Sequence, residues 1–352
     1  MVWYAIERID DAVSLTRSLL FPFQAGLWAR LAVVVFFVGM GSGGGNVGSS
    51  VSNAPSAGTS FQGGDFSFEP SVSLSGEALT AIGAIAVVLV VLWLVFAWIG
   101  ATMEFVFVEA LGEQSLSIRR GFGRHRSRGF RLLLFRLVLF LAVAVLFVGL
   151  ALALFFEPIT TLLSGGSPSV TGGELVVGIG LLVLSGFVVG LPLLLIHGFT
   201  TEFVVPVMLT RDCGVLAGWS HLWPTIKAEW KQYVVYVVLA FGLRIATSIA
   251  GGIVIGILAV VLAIPFVVVG LLFGFGAITS GTLTTSLVVG IVLLALAFFL
   301  VVALAGALVY VPIQSFHRYF ALLFVGDVES DFDVLEDLRP ALEGDIDPSS
   351  AA

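Results

Sequence analysis

Six apolar stretches divide this chain, at roughly 26–45, 78–103, 130–156, 174–200, 233–265 and 284–309. A helix needs about 20 mostly apolar residues to cross the hydrocarbon of a bilayer, and each stretch meets that length. The expected fold is therefore all-α, a polytopic transmembrane helix bundle of about six spans. Composition closes the soluble alternative. Only 11% of the 352 residues are charged and 59% are hydrophobic, where a water-facing domain carries roughly 25% charged residues.

The segments between the stretches alternate in basic content. Segments 46–77, 157–173 and 274–283 contain no Lys or Arg. Segment 104–131 carries Arg119, Arg120, Arg124, Arg126, Arg128 and Arg131, and segment 201–231 carries Arg211, Lys227 and Lys231. Positive residues stay on the cytoplasmic side, so the alternation places the basic segments and both termini there, in the cell membrane. Residues 233–275 are long for one span and include Gly251, Gly252 and Pro265. A helix broken at the glycines or kinked at the proline keeps six crossings, whereas two spans would make seven.

Three parts follow from this pattern. Residues 1–22 place Ile6, Ile9, Val13 and Leu20 with Trp3 on one helical face and Glu7, Arg8, Asp11 and Ser18 on the other. That is the signature of an interfacial amphipathic helix, a helix packed on the cytoplasmic segments being the alternative. Residues 23–310 form the bundle. Residues 311–352 are read as a cytoplasmic acidic tail, with nine acids between Asp327 and Asp347 against Arg339 alone. Lys occurs only at Lys227 and Lys231. An acidic, Lys-poor chain suits a halophile, in whose cytoplasm charge is screened within about 3 Å; a disordered acidic tail is the plainer reading.

Two span ends repeat. Residues 102–108 read TMEFVFV and residues 200–206 read TTEFVVP, with a fainter echo at Tyr310-Val311-Pro312. Stacked copies of one helical hairpin are a common way to assemble a membrane fold. The motifs FVGMGSGGG (37–45), MEFVFVE (103–109) and WPTIKAEWKQY (223–233) resemble a family of haloarchaeal multi-pass membrane proteins with no assigned role. The pattern of span end, Pro, amphipathic segment, Trp and next span is similar to the membrane domain attached to some glycerophosphodiester phosphodiesterases. These resemblances imply a helical membrane fold and no activity, since the phosphodiesterase catalytic domain has no counterpart in this chain.

Ionisable residues inside or near the membrane are costly and mark candidate sites. Glu104, Glu109 and Glu202 stand at the cytoplasmic ends of the second and fourth spans, where the helix dipole opposes a carboxylate. Arg136 and Arg244 lie within reach on the third and fifth spans. We expect Glu104 and Glu202 to face the interior and pair with these arginines or with the basic segment, as register-fixing ion pairs or as a substrate site. Arg119, Arg120, Arg124, Arg126, Arg128 and Arg131 are candidate contacts for anionic lipid or for a protein partner, and equally a topogenic signal. Trp219, Trp223 and Trp230 read as interface anchors. His197, His221 and His317 lack metal-ligand spacing, and no catalytic or nucleotide motif is present. The expectation is a protein without cofactor or metal that does not bind nucleic acid. It contacts membrane lipids, with a protein partner docking on the cytoplasmic segments and acidic tail. The sparse polarity of the spans favours a non-catalytic scaffold or accessory subunit, with a transporter or lipid-handling carrier as the alternative.

Overall fold

The computed structural model describes residues 3–41, 76–164, 172–280 and 285–344, and among these there is no strand. The helices are α1 (Tyr4–Leu20), α2 (Ala25–Gly41), α3 (Gly76–Glu113), α4 (Ile118–Leu163), α5 (Gly172–Ser185), α6 (Leu191–Phe199), α7 (Val205–Thr210), α8 (Val215–Ala228), α9 (Trp230–Ser280), α10 (Thr285–Val328) and the short α11 (Arg339–Gly344). Two π-helical turns, Gly186–Gly190 and Thr200–Val204, join α5, α6 and α7 into one rod. Five of these helical runs are long and apolar enough to cross a membrane, and α2 is a shorter apolar helix. The chain is a helical membrane protein.

The helices are longer than the apolar stretches that seed them. α9 has 51 residues, about 76 Å at 1.5 Å per residue, against a hydrocarbon core of about 30 Å. It is a single helical run through Gly251, Gly252 and Pro265, the segment for which a break at the glycines, a kink at the proline and two spans were the alternatives. The segment 104–131 is helical at both ends: α3 runs to Glu113 and α4 starts at Ile118. Its arginines are good helix formers, so charge ends the apolar run without ending the helix.

Packing concentrates at one end. α3 packs on α2 and α4, α9 on α10, α2 on α10, and α1 lies against α10. Phe105, Phe107, Phe203, Tyr236, Tyr319, Phe320 and Phe324 are the large side chains most fully buried, and they belong to the ends of α3 and α10, the π turn before α7 and the start of α9. This corrects the proposed boundary at 311. Instead of a tail, residues 311–328 continue α10, and Tyr319 to Val325 are fully buried. Pro312 lies inside the helix; a long apolar helix with neighbours on both sides tolerates one lost hydrogen bond. α1 turns Ala5, Ala12, Leu15 and Leu19 inward while Ile6 and Val13 stay about half exposed, so the packed stripe is built on small residues beside the larger apolar face.

The acidic residues at the end of α10 and beyond it are held against the protein. Asp327 accepts hydrogen bonds from Arg8 at 2.6 Å and Arg339 at 2.7 Å. Arg339 also binds Asp333, and Arg211 binds Asp331. Phe332 and Leu335 are buried. The expected loop at 42–75 and the last eight residues of the proposed tail lie outside the described residues.

Candidate functional site

Glu104 and Glu202 occupy matching places in the two similar segments. Thr102 and Thr200, two residues before each, are fully buried and donate to the carbonyl four residues back, Trp98 and Ile196. Phe105 and Phe203, one residue after, are fully buried. Each segment leaves its helix ten residues beyond the glutamate (104 to 114, 202 to 212), through Gln114 and Asp212, both at φ 47°. That is the left-handed conformation in which helices commonly terminate.

The two carboxylates meet different surroundings. Glu104 is wholly buried. Its Oε1 accepts from Arg136 Nη2 at 2.7 Å, and the same nitrogen donates to Thr201 Oγ1 at 2.7 Å. Its Oε2 lies 3.8 Å from Arg318 Nη2. Glu202 pairs with Arg244 and accepts from the Tyr236 hydroxyl at 3.0 Å. The Arg244 side chain is 54% exposed, so this pair faces open space where the first does not.

Thr201 ties the two centres together through a backbone irregularity. In the π turn the Val205 N–H bonds the Thr200 carbonyl, five residues back. The residue that would next serve the Thr201 carbonyl is Pro206, which has no N–H. Arg318 Nη1 donates to that carbonyl instead, at 2.5 Å. Nearby, His317 Nε2 and Thr247 Oγ1 are 2.8 Å apart.

These groups form one end of a cavity of about 1000 Å³, at the upper end of the range for ligand pockets. Arg136, Thr201, Glu202, Arg244, His317 and Arg318 line it, as do His197, Gln314 and Ser248. The walls beyond are apolar, with Trp93, Phe140, Val143, Leu194 and Ile249 among them. Glu104 sits behind this lining. Arg318 escaped the sequence reading because it fell within the supposed tail. A register signal was there: Glu104 precedes Gly112 by eight residues and Arg318 precedes Gly326 by eight (104 to 112, 318 to 326), both glycines lying under residues 333–339.

The other candidates lie around the turns that follow α3 and α7. Glu109 binds Arg124 and lies 3.1 Å from His125 Nε2. Arg128 reaches His125 Nδ1 at 2.8 Å and Asp212 at 2.6 Å. Arg119, Arg120, Arg126 and Arg131 are exposed. The Trp219 ring donates to Thr200 Oγ1 at 3.0 Å, while Trp223 and Trp230 are half exposed with Lys227 and Lys231 over their rings. His221 is exposed.

The model of a family described as a family of unknown function (DUF7544) matches residues 3–335. No curated protein and no solved structure matches the chain.

Proposed function

The chain belongs to the DUF7544 family, and because that family brings no assigned role, we propose from the geometry that it is a non-catalytic lipid-handling carrier, a membrane protein that takes an amphiphile into its central cavity. The observation that carries this reading is the polarity of that cavity: ionisable groups gather at one end, and apolar walls occupy the rest. Arg244 lies 14 residues into α9 (230 to 244), about 21 Å along it, and Arg318 lies 10 residues before the end of α10 (318 to 328), about 15 Å. The charged end is therefore nearer the basic, cytoplasmic side, and the apolar walls run toward mid-membrane. A lipid of the inner leaflet has that same arrangement.

The scaffold reading loses ground for a specific reason. Asp327, Asp331 and Asp333, which a docking tail would offer to a partner, already bind Arg8, Arg211 and Arg339. Exposed Arg119, Arg120, Arg126 and Arg131 remain suited to lipid head groups at the cytoplasmic face. The cell membrane as location and the inward termini rest on the positive-inside pattern. A membrane-impermeant thiol reagent that labelled Arg126→Cys in intact cells, in a Cys213→Ser background, would reverse that orientation.

The full chain purified in mild detergent is expected to retain a membrane lipid, detected by native mass spectrometry. Gly198→Leu fills the cavity, since Gly198 lines it and a side chain there meets nothing within 4 Å. It should lower lipid retention at least several-fold without lowering the melting temperature. Equal retention by both proteins, or no retained lipid in either, overturns the carrier.

A further inference from the structure

We infer that the occupant of the cavity carries an anionic head group, an oxyanion of the phosphate or carboxylate class, held by Arg318 and Arg244. The inference rests on the carrier reading and adds the chemistry of its ligand. Its first support is charge. The connected cluster contains three guanidiniums, Arg136, Arg244 and Arg318, and two carboxylates, Glu104 and Glu202, which leaves one positive charge (3 − 2 = +1). Glu104 is shared by Arg136 and Arg318, so a closer approach by either arginine does not remove the excess. Arg136 and Arg318 are enclosed while Arg244 is half exposed, and an anion entering beside Arg244 offsets the excess positive charge.

The second support is the placement of two guanidiniums on the cavity wall. Arg318 is 6% exposed, lines the cavity and spends Nη1 on the Thr201 carbonyl. Its enclosed Nη2 faces Glu104 Oε2 at 3.8 Å, so Arg318 contributes positive charge behind the lining and Arg244 the accessible donors. A guanidinium donates in a planar fork that matches the spacing of two oxygens on phosphate or carboxylate. Arg244 presents a second guanidinium to the same space, with Glu202 further held by Tyr236. Apolar walls beyond the charges accept acyl chains, so the occupant is a lipid and not a small free anion.

The test uses the detergent-purified full chain and three probes: phosphatidylglycerol, diacylglycerol of the same chains, and inorganic phosphate. Phosphatidylglycerol should bind at least ~10-fold more tightly than diacylglycerol, about the ratio that one charge-assisted hydrogen bond supplies. Arg244→Gln should reduce that preference to about 2-fold, and Glu202→Gln should raise it. Arg318→Lys should keep part of the preference and Arg318→Gln lose it. Because Arg318→Gln uncovers buried Glu104 and can unfold the protein, the half-exposed Arg244 is the decisive variant. Equal binding of the two lipids overturns the anionic head group while leaving the carrier intact. Phosphate binding as tight as phosphatidylglycerol overturns the lipid as occupant. Binding of none of the probes, with no effect of Gly198→Leu, defeats the carrier and this inference together.

Discussion

The two ends of this bundle share an apolar composition and differ in what holds them. At the inner end Phe203 packs against Tyr236 with ring centroids 5.0 Å apart, and Tyr236 stacks on Phe324 at 4.6 Å. All three are fully buried. In the outer part Val145 is 71% exposed, Val260 70% and Phe156 62%. Those side chains face lipid, which solvates them as well as another helix would, so little is gained by bringing the helices together there. The contrast teaches that hydropathy marks where the chain is in the membrane and says little about which parts of it pack. Packing follows the tyrosines, arginines and glutamates that cannot be left in lipid.

The sharpest way to break that contrast is to remove one ring from each end. Phe203→Ala should cost about 3–5 kcal/mol, the range for an aromatic deleted from a packed core. Phe156→Ala should cost less than ~1 kcal/mol, because lipid fills its place. Thermal unfolding in matched detergent measures both, and similar losses would mean that the outer helices pack more closely than described.

The two glutamates carry the same contrast at finer scale. Glu104→Gln strips the buried cluster of a charge facing both Arg136 and Arg318 and should cost about 3 kcal/mol, the lower part of the range for breaking a buried pair. Glu202→Gln should cost clearly less, since Arg244 keeps access to open space. Equal destabilisation would show that Glu202 is enclosed as Glu104 is. A smaller effect is expected from glycine. A methyl group at Gly129 would lie 2.7 Å from the Thr102 Cα and 2.2 Å from its Oγ1, a collision with backbone that forces α3 and α4 apart. Gly129→Ala should therefore cost about 1–3 kcal/mol. At Gly178 in the outer part the methyl meets only the tip of the Phe155 ring, at 2.6 Å. That ring can swing, and the helix gains up to about 1 kcal/mol in propensity, so Gly178→Ala should be neutral or stabilising.

Much of this was readable in the residues. Apolar length gave the helical class, and the expense of charge in lipid singled out Glu104, Glu202, Arg136 and Arg244, which the structure gathers into one cluster. What escaped was set by contacts between distant segments. Arg318 lies after Pro312 and before a run of acids, so it read as soluble tail; only its neighbours on α3, α4 and the π turn make it part of the site. The Thr201 carbonyl matters because Pro206 follows it on a widened turn, and hydropathy has no term for an unserved carbonyl. The inward face of α1 includes Ala5 and Ala12 beside Leu15 and Leu19, and the two alanines weigh little in any amphipathic pattern. The cavity itself is a relation between six helical runs, α2, α3, α4, the α5–α7 rod, α9 and α10, and has no local signature.

The smallest effect belongs to the basic rim of the packed end, where the contrast between packed and solvated should vanish. Asp212 follows α7 and accepts from Arg128 at 2.6 Å. That hydrogen bond, with the guanidinium charge, holds the Asp212 carboxyl below its ordinary range. A depressed carboxylate pKa means that the folded state favours the ionised form, so the pair's contribution is present above the unfolded pKa. It is lost as pH falls through the lower folded value. The pair is open to solvent and salt screens it. Asp212→Asn is a clean probe because asparagine also tolerates the left-handed backbone found there. The variant should melt with the parent protein at neutral pH in high salt, and slightly below it in low salt. The low-salt gap should close in acid, once the parent's carboxyl is protonated too. A gap that survived both high salt and acid would place Asp212 within the packed inner end, extending that end beyond the helices to the turn before α8.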